Sequence, residues 1–324
     1  MITVSKQENG DYSTIQEALN SIPADLLLPI TILIKPGTYK EKIVIDRPNI
    51  TFLGESTENT IITFNDYALM ILEDGEKRGT FRTPTVRIDA NDFTAKNITF
   101  ENNSGPGKKV GQALALYVDG DRITFENCHF LASQDTLFTA PLPPTTIEKN
   151  GFRGPKEDAP RINGRHLYRN CYIRGDVDFI FGSATAYFEQ CEIFSQDKES
   201  EVKGYVTAAS TPEGQEYGYV FSKCKFTSNC PKKSVYLGRP WRNFAKTILL
   251  ECELGAHIKE EGWHDWNKEE ARSTVLYGEY NSFGPGATSE KRVPWSKQLT
   301  KEEASDYEIR KVLGDWARVS QAKL

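Results

Sequence analysis

The sequence predicts an all-β chain wound into a parallel β-helix, and three observations carry that prediction. Short runs alternate apolar and polar residues at period two, as strands with one buried face require. Five of the six cysteines sit at one position of a shared six-residue pattern. Cys171 and Cys191 are 191 − 171 = 20 residues apart, close to one coil of a solenoid. The copies read Phe125-Glu126-Asn127-Cys128-His129-Phe130, Tyr168-Arg169-Asn170-Cys171-Tyr172-Ile173, Phe188-Glu189-Gln190-Cys191-Glu192-Ile193, Phe221-Ser222-Lys223-Cys224-Lys225-Phe226 and Leu249-Leu250-Glu251-Cys252-Glu253-Leu254. Two earlier copies place Ile in the same slot, Asn49-Ile50-Thr51-Phe52 and Asn97-Ile98-Thr99-Phe100.

Stacked coils would line these residues into inward ladders, in which a free Cys acts as a small apolar side chain. A disulfide framework is the alternative, and Cys230, outside the register, could pair with Cys224. Taken in chain order, Thr14-Ile15-Gln16-Glu17 has capping-box spacing, with Ile15, Ala18 and Leu19 on one face of a helix that would plug the first coil. The excursions at 66–85 and 141–164 are rich in Pro, Gly and charge and read as loops leaving the coils. The charged stretch 297–324 reads as short helices packed along the outside. No linker interrupts the chain, so residues 1–324 are expected to form one catalytic domain.

Composition is ordinary, with 38% hydrophobic and 26% charged residues and a formal net charge of −5. Without a Lys/Arg run, nucleic acid is an unexpected partner, and no apolar run is long enough to span a membrane. Met1–Gly10 shows no apolar signal segment, so the chain reads as cytoplasmic, or as secreted if a leader has been cut away. The four histidines and six cysteines form no metal-ligand spacing, so no metal site is expected.

Two strand-like segments carry a carboxylate where a buried strand favours an apolar residue: Gln134-Asp135-Thr136-Leu137 and Asp176-Val177-Asp178-Phe179-Ile180-Phe181-Gly182. Either alone could be a solvated strand end; together they suggest a tuned acid and a nucleophile. Gln112 lies about one coil before the first, and Leu237-Gly238-Arg239-Pro240-Trp241 follows the second. Segments one coil apart stack roughly 4.8 Å apart, so Gln112, Gln134, Asp135, Asp178 and Arg239 can converge on one face. Taken singly, Gln112 reads as a corner residue, Arg239 as a surface stacking partner and Trp241 as packing. Tyr39 and Glu41, in Gly37-Thr38-Tyr39-Lys40-Glu41, read as structural.

In combination and in order, these segments, together with Asp11-Tyr12-Ser13-Thr14-Ile15-Gln16-Glu17-Ala18 and Tyr277-Gly278-Glu279-Tyr280, resemble the signature blocks of the pectin methylesterases. The resemblance spans nearly the whole chain. It implies a right-handed parallel β-helix that hydrolyses the C6 methyl esters of galacturonosyl residues in methyl-esterified homogalacturonan (pectin) or its oligomers. The products would be pectate and methanol, made by a cofactor-free enzyme expected to be a monomer. By the same resemblance Asp178 would be the nucleophile, Arg239 its orienting partner, and Asp135 the acid and then the base. Gln112 and Gln134 would stabilise the oxyanion, Thr80 would contact substrate, and Val177, Phe138, Phe181 and Trp241 would wall the sugar site. A connection as long as 141–164 departs from plant-type members and puts chain-length preference in question. A polysaccharide lyase would call for clustered acidic residues for Ca²⁺, and a glycosidase would not need the glutamine pair. A non-catalytic polysaccharide binder would have no use for all five polar groups.

Overall fold

A computed structural model describes residues 1–7 and 9–317. Its strands form three sheets of eleven, seven and eight strands, and neighbouring strands within each sheet run parallel. The chain is a right-handed parallel β-helix, as expected. Each coil contributes one strand to each sheet. Residues Arg165–Arg169, Tyr172–Gly175 and Val177–Gly182 make one such coil, and Thr185–Glu189 begins the next, 185 − 165 = 20 residues on.

Inward side chains of successive coils meet directly. On the eleven-stranded sheet Phe125, Tyr168, Phe188 and Phe221 are consecutive partners, with stacked rings 5.3, 4.6 and 4.5 Å apart. Such offset stacks add to the burial that holds the coils together. At the next corner Cys128, Cys171, Cys191, Cys224 and Cys252 are buried, and all six cysteines are free, including Cys224 and Cys230. The residue before each patterned cysteine has a left-handed backbone (φ 51–56°) that turns the chain between sheets. Asn holds two of these corners and Gln, Lys and Glu the others, so the turn is imposed by the stack rather than by local preference alone.

Ile98 occupies the cysteine slot, since its carbonyl accepts from His129 N–H as Cys128 O does from Tyr172 N–H. Ile50 does not. Phe52 pairs with Ala95, which pairs with Phe125, so Ile50 lies on the eleven-stranded sheet two residues ahead of that rung. The apparent copy at 49–52 belongs to a different corner: period two alone cannot fix the phase of a repeat.

The N-terminal helix spans Ile15–Asn20, buries Ile15, Ala18 and Leu19, and is capped by the Thr14 hydroxyl, which accepts from the Glu17 N–H. Glu17 bonds the Thr14 hydroxyl, while Glu41 from the second coil accepts from the N–H groups of Ile15 and Gln16. Glu41 is therefore structural, capping the helix onto the solenoid. At the other end, helices Lys301–Ser305 and Ile309–Leu313 lay Ala304, Val312 and Leu313 over the outer side chains Leu167, Val220 and Ile248 of the eleven-stranded sheet. The last seven residues of the expected helical stretch lie outside the described ones. The excursions 66–85 and 141–164 both adjoin strands of the seven-stranded sheet, so its outer face becomes the floor of a walled cleft.

Candidate active site

The cleft is built by repetition of one backbone feature. Leu137 is the register partner of Ile180, which places Asp135 and Asp178, each two residues earlier, at equivalent positions of successive coils. Both have left-handed backbones, φ 64° for Asp135 and 50° for Asp178. The Asp135 N–H donates to Val177 O at 3.0 Å, tying the two turns together. On the other side of Asp178 the pairing slips: Val177 meets Tyr205 but Ile180 meets Thr207, so the Asp178 strand carries one extra residue. A bulge re-aims a side chain, and non-glycine residues held at positive φ are strained by about 1–3 kcal/mol. Here the two features turn carboxylates outward from strands whose other residues are buried.

Asp178 is held fork to fork by Arg239, with Nε to Oδ1 at 2.8 Å and Nη2 to Oδ2 at 2.6 Å. The guanidinium is itself clamped between the rings of Tyr205, 3.8 Å away, and Trp266, 3.6 Å away. Burial pushes the Asp178 carboxyl up, and the Arg239 charge and hydrogen bonds pull it back, aided by Lys198 and Lys268. Asp135 has no such partner among the described residues. Burial and then repulsion from Asp178 raise it well above the usual carboxylate range, with Arg239 a weaker opposing influence. The net direction for Asp178 is upward too, yet a bidentate guanidinium is the partner of a carboxylate, so ionisation falls on Asp178 and the proton on Asp135. The two carboxyls thus sit in different environments, one forked by a guanidinium and the other buried without one.

Gln112 and Gln134 line the cleft beside the two aspartates. Backbone bonds fix their positions, from Ala68 N–H to Gln112 O at 2.9 Å and from Ala113 N–H to Gln134 O at 3.1 Å. Neither side-chain amide is hydrogen-bonded to another described residue, which leaves their N–H donors free at the cleft. Gly107 packs so closely on Gln134 that a Cβ there would lie 2.9 Å from the Gln134 Cβ.

Thr80, Phe181 and Trp241 line the cleft. Phe138 and Val177 are placed elsewhere. Phe138 is fully buried, under Phe81 (5.0 Å), Phe181 (4.8 Å) and Trp241 (6.3 Å), so it supports the floor rather than forming it. Val177 is buried next to Asp178, and its carbonyl anchors the Asp135 turn. Sequence reasoning passed over Phe81, Phe152, Arg242 and Trp266, which also line the cleft. Phe152 comes from the long 141–164 loop and packs against Phe81 and Trp241 at 5.8 and 6.1 Å. Arg242 donates from Nη2 to Thr145 O at 2.8 Å, fastening that loop to the opposite rim. An aromatic inside a charged, Pro-rich excursion was the one available signal for Phe152; His264-Asp265-Trp266 offered none.

The family model described as Pectinesterase matches residues 1–142 and 158–315, passing over 143–157. Among curated relatives, Pectinesterase 31 of Arabidopsis thaliana is 37% identical over 314 residues, covering 95% of this chain and 90% of the relative. The solved structure of a pectin methylesterase from carrot superposes with a TM-score of 0.83 at 30% identity, covering 100% of this chain and 96% of that one. A pectin methylesterase solved in complex with a hexasaccharide superposes with a TM-score of 0.79 at 32% identity, covering 97% of each chain.

Proposed function

This chain belongs to the pectinesterase family, and from that premise we propose that its cleft removes methyl esters from pectin through an acyl-enzyme on Asp178. The observation that carries the reading is the pairing of a guanidinium-held carboxylate with a buried one, without a cation partner among the described residues, at the same position of the preceding coil. A related enzyme was captured with a hexasaccharide, and this cleft has the aromatic and apolar lining that sugar rings pack against.

An Asp178 oxygen attacks the C6 ester carbon, and the carbonyl electrons move onto oxygen. The Gln112 and Gln134 amides donate to that oxyanion, a role typically worth about 10²–10³ in rate per donor. Collapse breaks the C–O bond to the methoxy group as Asp135 gives it a proton, releasing methanol and leaving a mixed anhydride on Asp178. Asp135, now ionised, takes a proton from water, whose oxygen attacks the same carbon. Collapse of the second tetrahedral species returns the Asp178 carboxylate and frees the acid product, while Asp135 keeps the proton it took. One ester and one water become one galacturonic acid and one methanol.

The fork from Arg239 keeps both Asp178 oxygens aimed and prevents the nucleophile from taking the Asp135 proton. Methanol release from highly methylated pectin tests the reading, with acetylated xylan and p-nitrophenyl acetate as controls. Methanol production from pectin with little action on the controls is expected; acetate release without methanol would refute it.

A further inference from the structure

Trp266 reaches the Arg239 guanidinium from a turn with two consecutive left-handed residues, φ 56° at both Trp266 and Asn267. Such a backbone is strained for non-glycine residues and persists only where its surroundings fix it. Two side chains do so here. His264 Nδ1 accepts from the Trp266 N–H at 2.8 Å, and Asp265 Oδ1 accepts from the Asn267 N–H at 2.8 Å. Both are the side-chain-to-backbone bonds of an Asx turn, and in the first an imidazole stands where an Asn or Asp oxygen is usual. Asp265 is held in turn by Arg272, whose Nε and Nη2 both donate to Oδ2.

His264 also reaches the opposite jaw of the clamp. Its backbone N–H donates at 3.0 Å to the carbonyl of Gly238, the residue before Arg239. Its ring lies edge-on to Tyr205 at 5.7 Å and to Tyr236 at 5.2 Å, and those two rings stack on each other at 5.4 Å. One histidine therefore touches the turn bearing Trp266, the strand end bearing Arg239 and the ring of Tyr205.

We propose that His264 is a positioning residue for the Arg239 fork, holding Trp266 against the guanidinium while its Nδ1 is unprotonated and releasing it when that nitrogen takes a proton. The inference rests on the esterase reading, in which Arg239 aims Asp178. An Nδ1 that accepts from Trp266 leaves the neutral ring's proton on Nε2. A second proton, on Nδ1, sets donor against donor and leaves Asp265 Oδ1, 3.8 Å away, as the ring's alternative partner. That oxygen already serves the Asn267 N–H, so the shift competes with the other bond of the turn. Burial holds the imidazole below its ordinary 6.5; Asp265 pulls it up, and Arg239 and Lys259 push it down. Arg272 on Asp265 and Asp178 on Arg239 offset part of those charges, and the remaining facing groups are the Tyr205 and Tyr236 rings. Release thus falls on the acid side of neutrality and adds a partial drop to the limb that Asp178 sets.

Nitrogen NMR of the wild-type protein, which has four histidines, follows the His264 ring and the Trp266 backbone amide together. The Trp266 amide is expected to shift along the same titration curve as His264. Methanol release is then compared for two variants. His264→Leu removes the acceptor and should lower kcat roughly three- to tenfold at neutral pH, the worth of one neutral hydrogen bond, with KM little changed. His264→Asn restores an acceptor of the same reach that does not titrate; it should recover most of that kcat and lose the partial drop on the acid side. The proposal is overturned if the Trp266 amide does not follow His264, if His264→Asn is no better than His264→Leu, or if the acid-side drop survives in His264→Asn. The resonance needs no variant, so a His264→Leu chain that fails to fold leaves it decisive. It needs no turnover either: a Trp266 amide that titrates with His264 in a protein releasing no methanol would refute the esterase reading and not the positioning role.

Discussion

Asp178 and Arg239 meet as two parallel hydrogen bonds of 2.8 and 2.6 Å, from residues 61 positions apart in the chain. The solenoid makes this possible: the coil carrying Arg239 lies two strands along the seven-stranded sheet from the coil carrying Asp178. The bond pattern needs a planar, two-pronged cation. Arg239→Lys should fold and keep a positive charge near Asp178 but cut kcat roughly ten- to hundredfold, the equivalent of one lost charge-assisted hydrogen bond. Asp178→Asn should lose at least about 10³-fold in methanol release. A folded Asp178→Asn protein with near wild-type turnover would show that another group is the nucleophile.

Trp266 acts on that fork from behind. Its ring lies 3.6 Å from the Arg239 guanidinium, opposite Tyr205, and fixes the plane in which the fork can point. A stacked cation is worth about 0.5–2 kcal/mol. Trp266→Ala should lower kcat by up to about 30-fold, while Trp266→Phe retains most activity. A loosened Arg239 also pulls less on the Asp178 proton, so the acid limb of the pH–rate profile should move to higher pH in Trp266→Ala. Loss of activity with an unmoved acid limb would mean that Trp266 serves only as a wall of the cleft.

The cysteine ladder has a direct chemical signature. Cys128, Cys171, Cys191, Cys224 and Cys252 are buried and Cys230 is part-exposed, with none paired. Burial raises the thiols of Cys128, Cys171, Cys191, Cys224 and Cys230, which slows thiolate chemistry further. Titration with a thiol reagent should find one slow-reacting group in the native protein and all six after denaturation without reductant. Four groups in the denatured, non-reduced protein would indicate a disulfide and contradict the ladder.

Most of the scaffold was legible because a β-helix writes its register into the sequence. Side chains alternate at period two, and a corner residue such as Cys171 returns after one coil. That signal gives the inward face but not the phase, which is why 49–52 looked like a copy of the cysteine pattern. Asp135 and Asp178 were legible for a related reason: a carboxylate inside an apolar strand is conspicuous. What holds them was not. The bulge that turns Asp178 outward depends on a pairing with Tyr205 and Thr207 in the next coil. The clamp of Tyr205 and Trp266 on Arg239 joins residues 61 positions apart with no spacing rule between them. The resemblance made Phe138 a wall of the sugar site, yet Phe81 arrives from a loop and covers it.

The loop that brings Phe152 into the cleft is the part of the chain the family model passes over, at 143–157. It is pinned at Thr145 by Arg242 and at Lys156 by Asp119, 2.8 Å away. Replacing 143–157 with a short Gly/Ser link should leave the coils folded, because surface excursions are tolerated thermodynamically. Short oligomers would lose contacts with Ile147 and Phe152, whereas a long polymer would gain an open groove. The ratio of kcat/KM on polymer to that on short oligomers should therefore rise several-fold. An unchanged ratio would place the loop outside the substrate path.

Asp135 links activity to stability with opposite signs. Its carboxyl is raised by burial and by Asp178, so the folded protein holds that proton more tightly than the unfolded chain. Such a group contributes stability that is fully present below the unfolded carboxylate value of about 3.9. As pH rises from there toward the folded value, the unfolded chain releases the proton first, and that contribution is lost. Asparagine resembles the protonated acid and never ionises, so Asp135→Asn should melt higher than wild type at neutral pH and converge with it near pH 4. The same variant removes the proton that methanol needs and the base that activates water, so methanol release should collapse in both half-reactions. Under the proposed mechanism, activity of the wild-type protein needs Asp178 ionised and Asp135 protonated together. The acid limb of kcat/KM then reports Asp178, and the alkaline limb reports Asp135. Thermal melts of both proteins between pH 4 and 8, beside the pH–rate profile, check the two signs at once. An Asp135→Asn protein that is inactive and less stable than wild type at neutral pH would show that the carboxyl there is ionised and held by partners, contrary to its assignment as the acid.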